Sequence, residues 1–172
     1  MLISSNEVVS TFYSKGEFAM IIGVGFLLFA PINGADKLFV LRELKSKPEL
    51  HKRSGMLSFP LETFESRDGC PKATIYRLIE EEMGISQGKA QILGFSTQSF
   101  CLIPGRPDVL TFYGFGRFIG DPNQSFHPAD DDIEFVDWMK PEDLLGQFVR
   151  VEVAPILGHF LNNFSSMLNE QK

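Results

Sequence analysis

Apolar positions along the chain follow two periods. Residues 17–29 carry Ile, Val and Phe at even and odd positions alike, which is how a strand buried on both faces reads. Pro31-Ile32-Asn33-Gly34 reads as a turn, and residues 37–41 resume as a second strand, completing a hairpin. Residues 42–54 are polar and basic and read as a loop, followed by Met56-Leu57-Ser58-Phe59-Pro60, a short extended piece that its proline ends. Strands are predicted over residues 92–102 and 108–119, joined by the turn-rich Ile103-Pro104-Gly105-Arg106-Pro107, and a last short strand over residues 133–139.

The other period is helical. Residues 71–83 form the clearest helix, with Pro71 suited to a first helical position and Gly84 to the left-handed residue that closes it. Ile75, Leu78, Ile79 and Glu82 fall on one side, with Arg77, Glu80 and Glu81 elsewhere. Residues 141–146 read as a helical turn. Residues 155–168 read as a second amphipathic helix with Ile156, Leu157, Phe160, Leu161, Phe164, Met167 and Leu168 on one stripe. That stripe suits packing on the chain's own sheet and equally a homodimer contact. Strands interleaved with two separated helices predict an α+β fold, a mixed β-sheet sandwiched between helices.

Composition narrows the setting. With 172 residues and no Gly/Ser/Pro-rich linker, the chain reads as a single domain over residues 1–172. The net charge of −6 argues against general nucleic-acid binding, which needs a basic face. The longest apolar run, residues 18–32, is interrupted by Gly23 and Gly25 and falls short of the roughly 20 residues that span a bilayer. Glu7 and Glu17 ahead of it suit no signal peptide. Cys70 and Cys101 form no CxxC pair, which fits a reduced, cytoplasmic setting.

Candidate chemistry concentrates in Arg77-Leu78-Ile79-Glu80-Glu81-Glu82-Met83-Gly84-Ile85. Adjacent carboxylates on one helix gather negative charge where hard divalent cations prefer oxygen ligands. The segment resembles the second half of the Nudix box, with Arg77, Ile79, Glu81, Glu82, Gly84 and Ile85 matching. Phe59-Pro60 stands where that family has Phe-Pro-Gly-Gly, preceded by Gly55. Leu38-Phe39-Val40-Leu41-Arg42 resembles the family's first hairpin, residues 112–122 its central strand, and residues 134–145 its acidic, Trp-containing close. The resemblance covers residues 18–145 and implies a Nudix-type fold. It also implies a Mg²⁺- or Mn²⁺-dependent hydrolase that cleaves a diphosphate linkage in a nucleotide-like small molecule.

Carried over residue by residue, the resemblance makes Glu81, Glu82, Arg77 and Glu134 the catalytic set, with the metal held by Glu81, Glu82 and Asp131. Arg77 would orient the carboxylates, and Arg42, Arg53 and Phe59 would meet the substrate. The box departs from the family in three places. Leu78 replaces a glutamate, Leu61 and Glu62 replace two glycines, and the loop before the helix is one residue longer, so that Gly69 falls where a glutamate belongs. Asp68, Glu62 and Glu65 are each candidates for the missing charge, and Asp130-Asp131-Asp132-x-Glu134 is either a source of further ligands or a solvated acidic loop. The expected function is therefore a divergent hydrolase of weakened activity. The alternative is a catalytically inactive protein of the same fold that binds a nucleotide or a protein partner.

Overall fold

The computed structural model describes residues 20–168. Residues 17–19, the head of the first predicted strand, lie outside the described residues. Strand β1 (Ile21–Ile32) turns at Asn33-Gly34 into β2 (Ala35–Glu43). Both turn residues have positive φ, 53° and 78°, as a two-residue type I′ hairpin demands. The turn is tighter than predicted, because Pro31 and Ile32 still pair, with Asp36 and Ala35.

Short strands β3 (Leu57–Ser58) and β4 (Leu61–Thr63) flank Pro60 and lead to helix α1 (Pro71–Glu81). Then follow β5 (Ala90–Phe95), β6 (Val109–Phe118), β7 (Ile133–Met139) and helices α2 (Pro141–Leu145) and α3 (Val153–Asn163). Among the described residues the strands make one seven-stranded mixed sheet whose main path is β3-β2-β1-β6-β5. Strand β4 pairs with β1, and β7 with β2. β1 and β6 run parallel over nine residue pairs from Ile21↔Val109 to Phe29↔Arg117.

The double apolar parity of β1 has a direct cause. Its even residues Ile22, Val24, Phe26 and Leu28 pack with Ile75, Leu78 and Ile79 of α1. Its odd residues Leu27 and Phe29 pack with Ile156, Leu157 and Phe160 of α3. The sheet is thus covered by a helix on each face, as the two-period pattern predicts. Ile156, Leu157 and Phe160 are fully buried, so the core of the α3 stripe is covered within the chain. Two predicted elements are shortened. β5 ends at Phe95, with Phe100↔Thr111 left as an isolated bridge, and the helix predicted to residue 168 ends at Asn163 and closes in a 3₁₀ turn, Ser165–Leu168. No helix among the described residues is long and apolar enough to cross a membrane.

Candidate functional site

The C-terminal end of α1 organises the site. Arg77 is largely buried, and it ties the helix to the loop before it. Nε donates to Asp68 Oδ1 at 3.2 Å, and Nη2 donates to Asp68 Oδ2 at 2.9 Å and to the Thr63 carbonyl at 2.8 Å. Its Nη1 also lies 3.2 Å from Glu62 Oε2, 3.6 Å from Glu65 Oε1 and 3.8 Å from Glu81 Oε2. Burial by itself would raise the Asp68 carboxyl. The Arg77 guanidinium, the Glu65 N–H and the Thr74 hydroxyl outweigh it and hold the carboxyl down at about 2. Asp68 is therefore the acid that neutralises Arg77, and both its oxygens are spent on that bond and on Thr74.

Glu82 caps the helix and is 8% exposed. Its Oε2 accepts the Leu61 N–H at 3.0 Å, and it forms no ion pair among the described residues, unlike the buried Glu43, Asp68 and Glu152. Burial, and then repulsion from Glu62, push the Glu82 carboxyl up to about 8. Leu78, one turn earlier, is fully buried in the core beside Ile75 and Ile79. The family's carboxylate at that position is thus replaced by core packing. Gly84, at φ +63°, then takes the chain off the helix, and an added Cβ would sit 2.4 Å from the His127 carbonyl oxygen.

Glu82 and Glu62 both line a cleft of about 160 Å³. Its floor is the uncovered end of the α3 face of the sheet, where Ile21 and Gly23 of β1 lie beside Val109 and Thr111 of β6. Lys47, Lys52, Asp130, Arg150 and Glu152 complete its polar wall. Three of these belong to a buried charge cluster that also includes Glu43. Lys52 pairs with Glu43, Arg150 Nη1 lies 3.0 Å from Glu43 Oε1, and Arg150 Nη2 lies 2.6 Å from Glu152 Oε1. Burial works against the Arg150 charge, but Glu152 and Glu43 more than compensate and its pKa is raised.

The structure separates the residues that the sequence grouped. Glu82 faces the cleft. Glu81 does not line it: its side chain is 52% exposed and turned toward Arg77. Glu134 lies outside the cleft lining, paired with Arg42 at 2.8 Å, so each spends its charge on the other. Asp131 is 89% exposed and bound to Lys45 at 3.2 Å, while Asp132 pairs with Lys45 and, at 3.1 Å, with Lys47. Of the three aspartates only Asp130 reaches the cleft. Arg53 is exposed and outside the lining. Phe59 is fully buried between sheet and α3 and has no surface to offer a ligand. Sequence reasoning missed Glu43, Arg150 and Glu152. The available signal was the alternation Val149-Arg150-Val151-Glu152-Val153, two charges set among valines just before an apolar helix.

No family model and no curated protein matches the sequence. Solved structures do match the fold. The NUDIX domain of Shewanella oneidensis NrtR, complexed with ADP ribose, superposes over 95% of this chain and 100% of its own, with a TM-score of 0.68 and 13% identity. The chain has the Nudix fold. A C. elegans Ap4A hydrolase binary complex is similar over 88% of this chain and 99% of its own, with a TM-score of 0.62 and 16% identity. The MutT protein from Methanosarcina mazei Go1 covers the same shares, with a TM-score of 0.60 and 19% identity. On this fold α1 ends at the cleft with one carboxylate, Glu82, pointing in and the other, Glu81, pointing out.

The divalent cation that the fold implies fits these residues in part. The nine-tenths-buried Glu82 carboxyl, with no ion pair among the described residues and one oxygen free of hydrogen bonds, has the chemistry of the oxygen donors that hard cations prefer. Leu78 contributes nothing toward it.

Proposed function

We propose that the protein is a divergent Nudix-type hydrolase that takes a nucleoside diphosphate derivative and a divalent cation into the Glu82 cleft. In this reading water adds across the P–O–P linkage, giving a nucleoside monophosphate and a phosphorylated remainder. The observation that carries the reading is the buried Glu82 carboxyl. Burial and then Glu62 hold it toward its neutral form, in a cleft that also holds Lys47, Lys52 and Arg150. When bound, the cation supplies neutralisation of diphosphate charge and a polarised water. Glu82 would anchor it, and Lys47 would meet a phosphate oxygen at the rim. The neighbours that bear ADP ribose or are called Ap4A hydrolase and MutT favour a nucleotide-derived ligand.

Leu78 in the core and Glu81 turned away from the cleft favour a second reading, a protein of this fold that binds such a ligand without turning it over. One assay divides the two. The pure protein is incubated with ADP-ribose, Ap4A and nucleoside triphosphates in Mg²⁺ or Mn²⁺, beside Glu82→Gln. Hydrolysis should be slow, metal-dependent and reduced about 10²-fold or more in the variant, the usual effect of removing a charge-stabilising group. Binding without any turnover supports the second reading. Turnover that Glu82→Gln leaves intact overturns the assignment of the cleft.

A further inference from the structure

The loss of the helix carboxylate at Leu78 leaves Glu82 without a second ligand from α1, and the geometry points to Glu62 of β4 as its replacement. Three acids near Arg77 compete for that role. Asp68 does not line the cleft, and one of its oxygens already accepts from Arg77, Thr74 and the Glu65 N–H together. Glu65 pairs with Arg67 and Arg77 and does not line the cleft. Glu62 lines it together with Glu82. The link is covalent as well as spatial: Leu61, whose N–H holds Glu82 Oε2 at 3.0 Å, is the residue before Glu62.

Glu62 is positioned for the work. Its Oε1 accepts the Thr63 N–H at 2.7 Å, and its Oε2 lies 3.2 Å from Arg77 Nη1. Each carboxylate oxygen has a second lone pair, so both bonds can persist while a cation is bound. Two like charges facing one cavity repel, and nothing among the described residues neutralises Glu82 directly. A hard divalent cation between them removes that repulsion. Family glycines stand at positions 61 and 62, so this donor belongs to the present chain, and Arg77 acts on it as a positioning residue.

The inference rests on the reading that Glu82 anchors a cation, and a titration separates the two. Mn²⁺ binding is measured by calorimetry in chelator-free buffer for the wild type and for Glu62→Gln, Glu82→Gln and Glu65→Gln, with thermal melts to verify folding. Glu62→Gln and Glu82→Gln should each weaken Mn²⁺ at least about tenfold, while Glu65→Gln, which also faces Arg77, should stay within about twofold. A loss in Glu82→Gln with none in Glu62→Gln, or an equal loss in Glu65→Gln, overturns the role of Glu62 alone. Absence of Mn²⁺ binding, or binding indifferent to Glu82→Gln, overturns the underlying reading and this inference with it. Should Glu62→Gln melt early, Glu62→Asp, which keeps the charge, must bind Mn²⁺ more tightly than Gln does at a temperature where both are folded.

Discussion

A carboxyl held near neutrality by burial is a stability term that depends on pH. Glu82 sits at about 8 in the fold against 4.5 as a free side chain. Between those values the folded state binds a proton that the unfolded state has lost, so stability falls as pH rises. The contribution is complete below about 4.5 and gone above about 8. In chelator, denaturant unfolding should show stability declining across that window by up to about 1.4 kcal/mol per pH unit, and Glu82→Gln should flatten the decline. A wild-type slope matched by the variant would place the titrating group elsewhere; Glu62, Glu43 and Arg150 are the neighbours whose charges bear on it. Asp68 acts at the other end: held down to about 2, it stabilises the fold until acid reaches that range. Leu78 gives the second test at this scale. Restoring a glutamate there buries a charge among Ile75, Ile79 and Met83. Leu78→Glu should cost about 3 kcal/mol or more by denaturant unfolding, with no gain in Mn²⁺ affinity. A stable Leu78→Glu protein that binds Mn²⁺ more tightly would mean that the helix face is misjudged. Helical spacing alone puts positions 78 and 82 on one side, but it does not say where core ends and cleft begins along that side.

At the scale of elements, the site depends on how α1 stops. Gly84 has a left-handed φ of 63°, and the loop carrying the aspartates packs so closely that the His127 carbonyl occupies the place of a side chain. The Ala129 N–H donates to the Glu81 carbonyl at 2.7 Å, a second tie between helix end and loop. Gly84→Ala should therefore cost more than about 1 kcal/mol, both in backbone strain and in displacement of that loop. Denaturant unfolding that shows a neutral or stabilised variant would contradict this. Much of this level was legible. The hairpin, α1 with Pro71 and Gly84 at its ends, and the doubly apolar β1 follow from local chemistry. The end of β5 at Phe95 did not, because the prediction ran through the polar Ser96-Thr97-Gln98-Ser99 to the apolar Phe100 and Leu102 beyond it. The chain leaves β6 there after a register shift between Ile92 and Gly94, a pairing decision that no single strand's composition encodes.

For the molecule as a whole, the cleft is held open by charges drawn from distant parts of the chain. Glu43 ends β2, Lys52 lies in the basic loop, and Arg150 and Glu152 precede α3. They join elements that the sheet alone leaves independent. Replacing Arg150 leaves buried Glu152 unpaired and Glu43 with Lys52 alone, so Arg150→Met should destabilise the protein by about 3–5 kcal/mol, and adding Glu43→Gln should recover part of the loss. Additive losses in that double-variant cycle would show that the two groups do not interact. Beyond the alternation around Arg150 and Glu152 this cluster was hard to read, because its members are far apart in sequence and two of them lie beyond residues 18–145, the span of the family resemblance. The acidic loop was conspicuous in sequence, and its three carboxylates converge within 4.8 Å of one another, with Lys45 and Lys47 paired to Asp131 and Asp132. The most direct test of the cation cleft is anomalous diffraction from crystals soaked in MnCl₂. The account predicts a peak in coordination contact with the Glu82 carboxylate, inside the cleft. A peak at Asp130–Asp132 alone, or none beside Glu82 at saturating Mn²⁺, would contradict it.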